Sequence, residues 1–425
     1  MNKKEMSEYS ASPLIEPDIV VIGGGAAGML ASCIAANNGA RVLLLEQNSD
    51  FGKKLLITGK GRCNLTNDCP VANVLENITT GGRFLRSAIN GFTPRDVMSF
   101  FESIGVPLKT ERGTRVFPVS DKSSEVVDAL SRYMKKTGVL ARRLRALRLI
   151  VENGRINGVA TSKGAIRTTS VILATGGMSY PDTGSTGDGY KMAGDLGHTI
   201  TPLQASLVPL EADLEICARI QGLSLRNVRL SVYDGGEKPI FEDFGELLFT
   251  HYGMSGPLII SASAHMRDFA ARKYSVLIDL KPGLDEKKLD LRILRDFKKY
   301  SNRDFSNSLD DLLTKALIPV IIEKSGIARE TKTHSISREQ RLRLGKLIKS
   351  FPIDIDQPRP IEEAIITSGG VDLNEINPKT MESKLVRGLY FAGEVLNADA
   401  YTGGFNLQIA WSTAYAAAKA ASSRD

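Results

Sequence analysis

The stretch DIVVIGGGAAGMLASCIAANNGARVLLLEQ, residues 18–47, decides the fold. Ile19 to Ile22 is a short apolar run suited to a buried strand. Gly23, Gly25 and Gly28 then form G-x-G-x-x-G at the entry to a helix, with the small Ala26 and Ala27 between them. A second apolar run, Val42 to Leu45, ends in Glu46 and Gln47, with Glu46 about 18 residues beyond the last glycine. Strand, glycine turn, helix and strand ending in an acid form the context in which this motif indicates dinucleotide binding. The glycines allow a tight turn, close backbone approach to a pyrophosphate, and close packing of helix on sheet. The phosphates would sit at the positive N-terminus of the helix. Glu46 would accept ribose hydroxyls, which disfavours a cofactor with a 2′-phosphate. A membrane span is the competing reading, and the run of glycines and the polar Asn37-Asn38-Gly39 exit argue against it.

A chain of 425 residues suggests two or three domains, and 42% hydrophobic with 24% charged residues is the composition of an ordinary globular protein. Net charge is +7, which permits an anionic partner without demanding one. Cys33, Cys63, Cys69 and Cys217 form no C-x-x-C or paired framework, so a reducing, cytoplasmic setting with free thiols is expected. Residues 1–17 are polar, mixed in charge and without an apolar signal core, and are read as a flexible tail. No metal site is expected.

After Glu46 the chain reads FGKKLLITGKGRCNLTND, residues 51–68, too polar and glycine-rich to be core. A solvated surface loop is one reading. A cofactor-wrapping loop better explains the crowding of Gly59, Gly61, Arg62, Cys63 and Asn64. Lys54 and Arg62 could meet phosphate, and Asn64 could bond ring heteroatoms. A redox role for Cys63 competes with inert packing. Thr93 and Pro94 open a helix over 93–104, and an amphipathic helix is expected from about Ser123 to Lys136. Residues 144–177 read as a small β meander with turns at Asn153-Gly154 and Lys163-Gly164. Its last strand, Ser170 to Ala174, runs into Thr175, Gly176 and Gly177. Another helix begins near Asp188. Short β-patterned runs fill 200–282, helices follow, and the basic run ISREQRLRLGKLIKSF is read as a solvated helix face in preference to a nucleic-acid site. Leu389 to Ala392 is a short strand, Gly393-Glu394 a turn, and Leu407 onward an alanine-rich closing helix.

Five blocks carry a family likeness: TGKGRCNLTN (58–67), RVFPVSDKSSEVVDAL (115–130), ATGGMSYPDTGSTGDGY (174–190), FTHYGMSGPLIISAS (249–263) and the stretch from ITSGGVDL to GGFNLQIA (366–410). In this order they resemble the BaiN-like, aminoacetone-oxidase-like FAD-dependent oxidoreductases. That family is distantly related to the flavoprotein subunits of succinate dehydrogenase and fumarate reductase. The resemblance implies an α/β chain: a Rossmann-like FAD-binding domain built from both chain ends, with an inserted β-barrel-like domain and a helical subdomain. The expected divisions are 18–198 and 358–425 for the FAD domain and 199–357 for the insertion, helical at about 284–350.

By the same resemblance, Gly23 to Gly28 hold the pyrophosphate, Glu46 the adenine ribose, and Leu147 lies beside adenine. Ala174, Thr175 and Gly176 pass close to the cofactor, and Gly393 and Glu394 face its pyrophosphate–ribityl part. Gly404, Asn406, Leu407 and Gln408 open the closing helix toward the flavin N1/C2=O edge, where a helix N-terminus stabilises the reduced ring. Asn397, Ala414 and Ser124 stand where the family has Asp, Gly and Ala.

The implied activity is hydride transfer between flavin N5 and a small organic substrate. Only one G-x-G-x-x-G is present, so NAD(P)H, as a transient donor, would dock without a second Rossmann unit; dioxygen is the other potential redox partner. His251 and Tyr252 are the candidate catalytic side chains, although a structural histidine suits His251 equally well. No motif surrounds His265 or His334, and His198 reads as a helix-end residue. The alternative function is an RNA-associated, tRNA-modifying-like flavoprotein, whose RNA binding would weaken steeply with salt. A third reading keeps FAD as a structural element without turnover. No nucleic-acid or membrane partner is otherwise expected, and the sequence leaves the oligomeric state open.

Overall fold

The computed structural model describes residues 16–423, so most of the expected tail lies outside the described residues. The chain forms two compact units, one from residues up to 205 together with 364 onward, the other from 206–363.

The first unit is built on a five-stranded parallel sheet in the order Leu389–Phe391, Ser170–Leu173, Ile19–Ile22, Val42–Glu46, Leu140–Arg143. Both ends of the chain therefore contribute strands. The meander expected over 144–177 is corrected here. Its first three strands, Ala146–Glu152, Arg155–Thr161 and Gly164–Ile166, form a separate antiparallel sheet. The fourth, Ser170–Leu173, leaves them to lie in register beside the first strand, Ile19 opposite Ser170. Val171, Ile172 and Leu173 are fully buried. An uninterrupted apolar run suits a strand covered on both faces better than one with a solvated side. The hairpin turn at Asn153-Gly154 has both residues at positive φ, 51° and 73°, as a tight two-residue turn needs.

The first helix, Ala26–Asn37, and the closing helix, Phe405–Ser422, pack against each other. Ala410, Ala414, Ala417 and Ala418 are buried along the closing helix, and small side chains at that spacing allow close approach. Trp411 is wholly buried, its indole N–H donating to Leu65 O at 2.9 Å. Thr93 caps the helix Pro94–Ser103, as expected, and Asp96 completes a reciprocal capping box.

Near the end of Asp188–Gly194, His198 is a buried clamp. Its Nδ1 lies 3.0 Å from Glu375 Oε2 and its Nε2 2.9 Å from Ser383 Oγ, with the ring edge-on to Phe391. Ser383 Oγ also accepts the N–H groups of Leu385 and Val386, so the cluster binds chain to chain. Burial holds the imidazole below its ordinary range, outweighing the raising effect of Glu375. The unfolded chain takes up this proton near pH ~6.5, while the folded chain resists it. Stability should therefore fall as pH drops from about 6.5 toward 5. Melting temperatures across that window should show a shallower decline in His198→Gln; an unchanged slope would remove His198 as the cause.

The second unit is a closed antiparallel barrel of six strands, in the order Leu210–Ala212, Gly253–Ser255, Phe241–Thr250, Ser224–Tyr233, Tyr274–Asp279, Phe351–Pro358. Alternate residues fill its core: Leu230 and Val232, Val276 and Ile278, Phe351 and Ile353. Helices Glu286–Lys299, Ile318–Ser325 and Arg338–Lys349 complete the unit. Asp285 caps the first of these, and a Ser337–Gln340 capping box opens the last. Each cap is worth about 1 kcal/mol. Among the described residues no helix is long and apolar enough to cross a membrane.

Candidate functional site

The site begins where the first strand ends. Gly23 turns at φ +104°, and a Cβ there would lie 2.4 Å from Ala174 O. A Cβ on Gly28 would fall 1.8 Å from Gly23 O, so the helix sits directly on the turn. Gly25, the N-cap, differs: nothing lies within 4 Å of its added Cβ, and no side chain caps the helix. The first turn of this helix therefore has no side-chain cap and open space beside Gly25, the arrangement that receives a pyrophosphate.

Glu46 is buried beside this turn. Its Oε2 accepts Gly24 N–H at 2.6 Å, and its Oε1 accepts the backbone and side-chain N–H groups of Asn48 at 2.8 Å each. Three donors leave a carboxylate one lone-pair site of about four for a ribose hydroxyl. Gln47 points away and donates to Gly184 O. Leu147 is half exposed on its strand. Ala174 N–H bonds Ile22 O, and Thr175 Oγ1 is buried without a hydrogen-bond partner. Gly176 turns at φ +75°. Gly393, at φ +77°, would bring a Cβ within 2.9 Å of Ala27 Cβ. The glycine turn, the Ala174 strand end and Gly393 are therefore one contact set, although they lie far apart in sequence.

Lys54 and Glu394 extend it. Lys54 Nζ is 2.7 Å from Glu394 Oε2 and 2.6 Å from Ser179 Oγ; Glu394 Oε1 accepts Thr367 N–H at 2.8 Å and Ser179 Oγ at 3.1 Å. Lys54 and Arg62, which the sequence offers to phosphate, are each paired with carboxylates in this structure. Arg62 bonds Glu111 and Asp121 and stacks on Phe117 with its guanidinium 4.2 Å from the ring centre. Hydrogen bonds from Arg62 hold Glu111 below the usual carboxylate range; Lys109 first, then Arg62, does so for Asp121. Ser179 and Thr367 were not singled out in the sequence. Their only signal was position inside the blocks ATGGMSY and ITSGG.

Cys63 is fully buried and burial pushes its thiol up to about 12, which argues for packing and against redox chemistry. Cys33 and Cys217 are buried as well, and Cys69 is the partly exposed one. A thiol-reactive probe at neutral pH should label Cys69 first and leave the other three intact until unfolding. Prompt labelling of Cys63 in peptide mass maps would contradict this.

Asn64 Oδ1 is a second buried acceptor without a partner. Gly61 and Asn64 lie on the loop that leads to Thr66, and a Cβ on Gly404 would meet Thr66 O at 2.4 Å. The loop and the start of the closing helix are thus pressed together. Asn406 and Gln408 are spent on structure: Asn406 bonds Ala400 through both amide atoms, and Gln408 bonds Thr66, Phe92 O and Ser412. Their side chains are not aimed at a ligand, while Leu407 is partly buried against the core.

Between loop and helix opens a pocket of about 700 Å³, with Lys60, Asn64, Asn67, Thr114, Phe117 and Phe405 among its walls. Asn73 and Asn77, one helical turn apart, line it too, as do Cys69 and Thr402. Their i, i+4 spacing was a readable signal that sequence reasoning passed over. The two orphaned acceptors and the open Gly25 fit an extended dinucleotide. FAD would be held by the glycine turn, Glu46, Gly393 and the Gly61–Asn64 loop.

His251 and Tyr252 belong to the second unit, in the turn between Phe241–Thr250 and Gly253–Ser255. The two rings meet edge-on at 4.9 Å, and Arg359 lies over Tyr252 at 4.7 Å, itself fixed by Glu211 and Glu363.

The profile of the HI0933-like protein Rossmann domain matches residues 17–420. The chain belongs to that family. Within it, the chain is 32% identical to the 3-dehydro-bile acid delta(4,6)-reductase of Clostridium scindens, over 96% of this chain and 99% of the relative. It is 31% identical to the ribosomal RNA dihydrouridine synthase of Escherichia coli, over 95% and 97%. The fold resembles a 3-ketosteroid-delta4-(5alpha)-dehydrogenase from Rhodococcus jostii RHA1 (TM-score 0.54, 18% identity, covering 98% of this chain and 99% of that one). This HI0933-like protein is a FAD-dependent oxidoreductase, as the sequence resemblance implied.

Proposed function

We propose that this flavoenzyme is a reductase that saturates a carbon–carbon double bond conjugated to a carbonyl, in a polar ring of the uracil kind carried by RNA. The observation that carries this reading is the pocket. Asn64 and Asn73 line it with Lys60, while Asn67, bonded to Thr114 Oγ1, Gly113 O and Gly403 O, and Asn77, bonded to Asn73 O, hold its wall in place. An imide edge presents both N–H and C=O, and carboxamides both donate and accept. Phe117 and Phe405 supply faces on which a base can stack. A steroid would need a mainly apolar wall, which this lining does not offer.

The names of the two relatives support the reaction type from different sides. A delta-reductase of a 3-dehydro bile acid and a dihydrouridine synthase both imply two-electron saturation of a double bond near a carbonyl. Bound FAD, once reduced, would supply a hydride from N5 to one carbon of the double bond, with a proton from solvent completing the other. The chain positions the substrate ring through the asparagines, and the positive end of the closing helix beside the pocket favours negative charge there. With one G-x-G-x-x-G, NADH or NADPH would reduce the flavin without a nucleotide domain of its own.

The test is anaerobic. FAD-loaded protein is mixed with NADH or NADPH separately, and bleaching of the visible flavin band is followed; light reduces the flavin if neither does. Deproteinised ribosomal RNA or a 3-oxo-4-ene steroid is then added. RNA should restore the band and gain dihydrouridine by mass spectrometry. Reoxidation by the steroid alone would overturn the proposal.

A further inference from the structure

The charge of this chain is not evenly spread. Residues 284–350 hold sixteen Lys and Arg against ten Asp and Glu, an excess of six in a chain whose total is +7. A basic run of this kind is usually a solvated helix face. The pairing pattern separates this case from that default. Acids of the helical part are drawn into pairs with part of its cations: Asp290 with Arg341, Asp296 with Arg292, Asp311 with Lys299, Asp304 with Lys332. Lys349 pairs with Asp279 of a barrel strand.

What remains on the two helices is basic in excess, five cations against the exposed acids Glu286 and Glu339. Lys287 and Lys298 on Glu286–Lys299, and Arg338, Arg343 and Lys346 on Arg338–Lys349, are all exposed and make no ion pair among the described residues. On each helix they occupy the arc opposite the buried residues, Leu289, Ile293 and Phe297 on one and Leu344 and Ile348 on the other. The two helices pack together, so the unit carries two neighbouring cationic faces.

From this unbalanced charge we infer that the outward faces of these two helices form a docking surface for the phosphate backbone of RNA. The inference rests on the RNA reading proposed above, for which it supplies a sequence-independent grip separate from the ring-binding pocket. Backbone phosphates are met by exposed, mobile cations, and the gain comes from counterion release. An anionic membrane would attract the same charges. It would also need a broad apolar face to insert, and here the apolar faces of both helices are already buried, leaving only Leu291, Leu294 and Leu342 scattered among the cations.

The experiment uses the full FAD-loaded chain and a short fluorescein-labelled single-stranded RNA, with anisotropy read from about 50 to 200 mM KCl. The comparison is the triple variant Lys298→Gln, Arg343→Gln, Lys346→Gln. Wild type should bind, and the triple variant should bind about tenfold or more weakly, with the salt slope reduced by about two, as three lost phosphate contacts predict. Flavin content and melting temperature should be unchanged, which excludes misfolding as the cause. Equal affinity and slope in the two proteins would overturn the inference. So would absence of RNA binding by wild type, or binding to phosphatidylglycerol vesicles in place of RNA. RNA bound through this face but never reduced would leave the docking surface standing and remove the proposed reaction. Dihydrouridine formed equally by both proteins would do the reverse.

Discussion

Gly28→Ala and Gly25→Ala should give opposite failures, though they lie three residues apart in one turn. In Gly28→Ala the new methyl would sit 1.8 Å from Gly23 O, a backbone atom held between two strands. The helix must lift from the sheet, at a cost of about 3 kcal/mol or more, the upper range for overpacking a tight contact. The variant should melt early and carry no flavin. In Gly25→Ala nothing protein lies within 4 Å of the methyl, and φ of −83° suits alanine. Stability should fall by less than about 1 kcal/mol, the cost of a poorer N-cap. The methyl would instead occupy the space assigned to the pyrophosphate, so FAD affinity should drop about a hundredfold, or roughly 3 kcal/mol. Urea denaturation of the flavin-free proteins and FAD titration separate the two effects. Wild-type FAD affinity in Gly25→Ala would sink the assignment of this turn to phosphate.

This pair also indicates what was legible in the sequence. The glycine turn could be read because its requirements are local: a strand, three glycines, a helix and an acid within thirty residues. The closing helix was read two residues late, at Leu407 where it begins at Phe405, because the left-handed cap at Gly404 depends on the approach of Thr66. Partner choice was not legible. Nothing near Arg62 in sequence announces that Glu111 and Asp121 will neutralise it, and nothing near Lys54 announces Glu394, 340 residues away. A basic residue in a glycine-rich loop looks the same whether its counterion is a ligand phosphate or a distant carboxylate. The strand Ser170–Leu173 is ambiguous for a related reason: its apolar run is equally good in a meander or beside Ile19–Ile22, and burial on both faces decides. Of the pocket asparagines, Asn64 is legible from its glycine-rich loop, and Asn73 and Asn77 only from their i, i+4 spacing.

The Lys54–Glu394 cluster gives the second large effect. Lys54 and Glu394 have side chains only 20% and 12% exposed, and with Ser179 and Thr367 they tie four distant segments of the first unit. Glu394→Ala strands a mostly buried ammonium and leaves Thr367 N–H and Ser179 Oγ short of an acceptor. Removing one partner of such a pair costs about 3–5 kcal/mol. Lys54→Met should cost less, because both Glu394 oxygens can still accept hydrogen bonds and one of them keeps two donors. Glu394→Gln retains an acceptor for Thr367 and Ser179 but turns an amide N–H₂ toward Lys54 Nζ, donor against donor. Combining it with Lys54→Met removes that conflict, so the double variant should be more stable than Glu394→Gln alone, with non-additivity of about 1–3 kcal/mol. Chemical denaturation of the four proteins completes the cycle. Additive losses, or a Glu394→Ala variant within about 0.5 kcal/mol of wild type, as at an ordinary surface position, would show that the cluster is a solvated contact and that Glu394 is free to serve the cofactor alone.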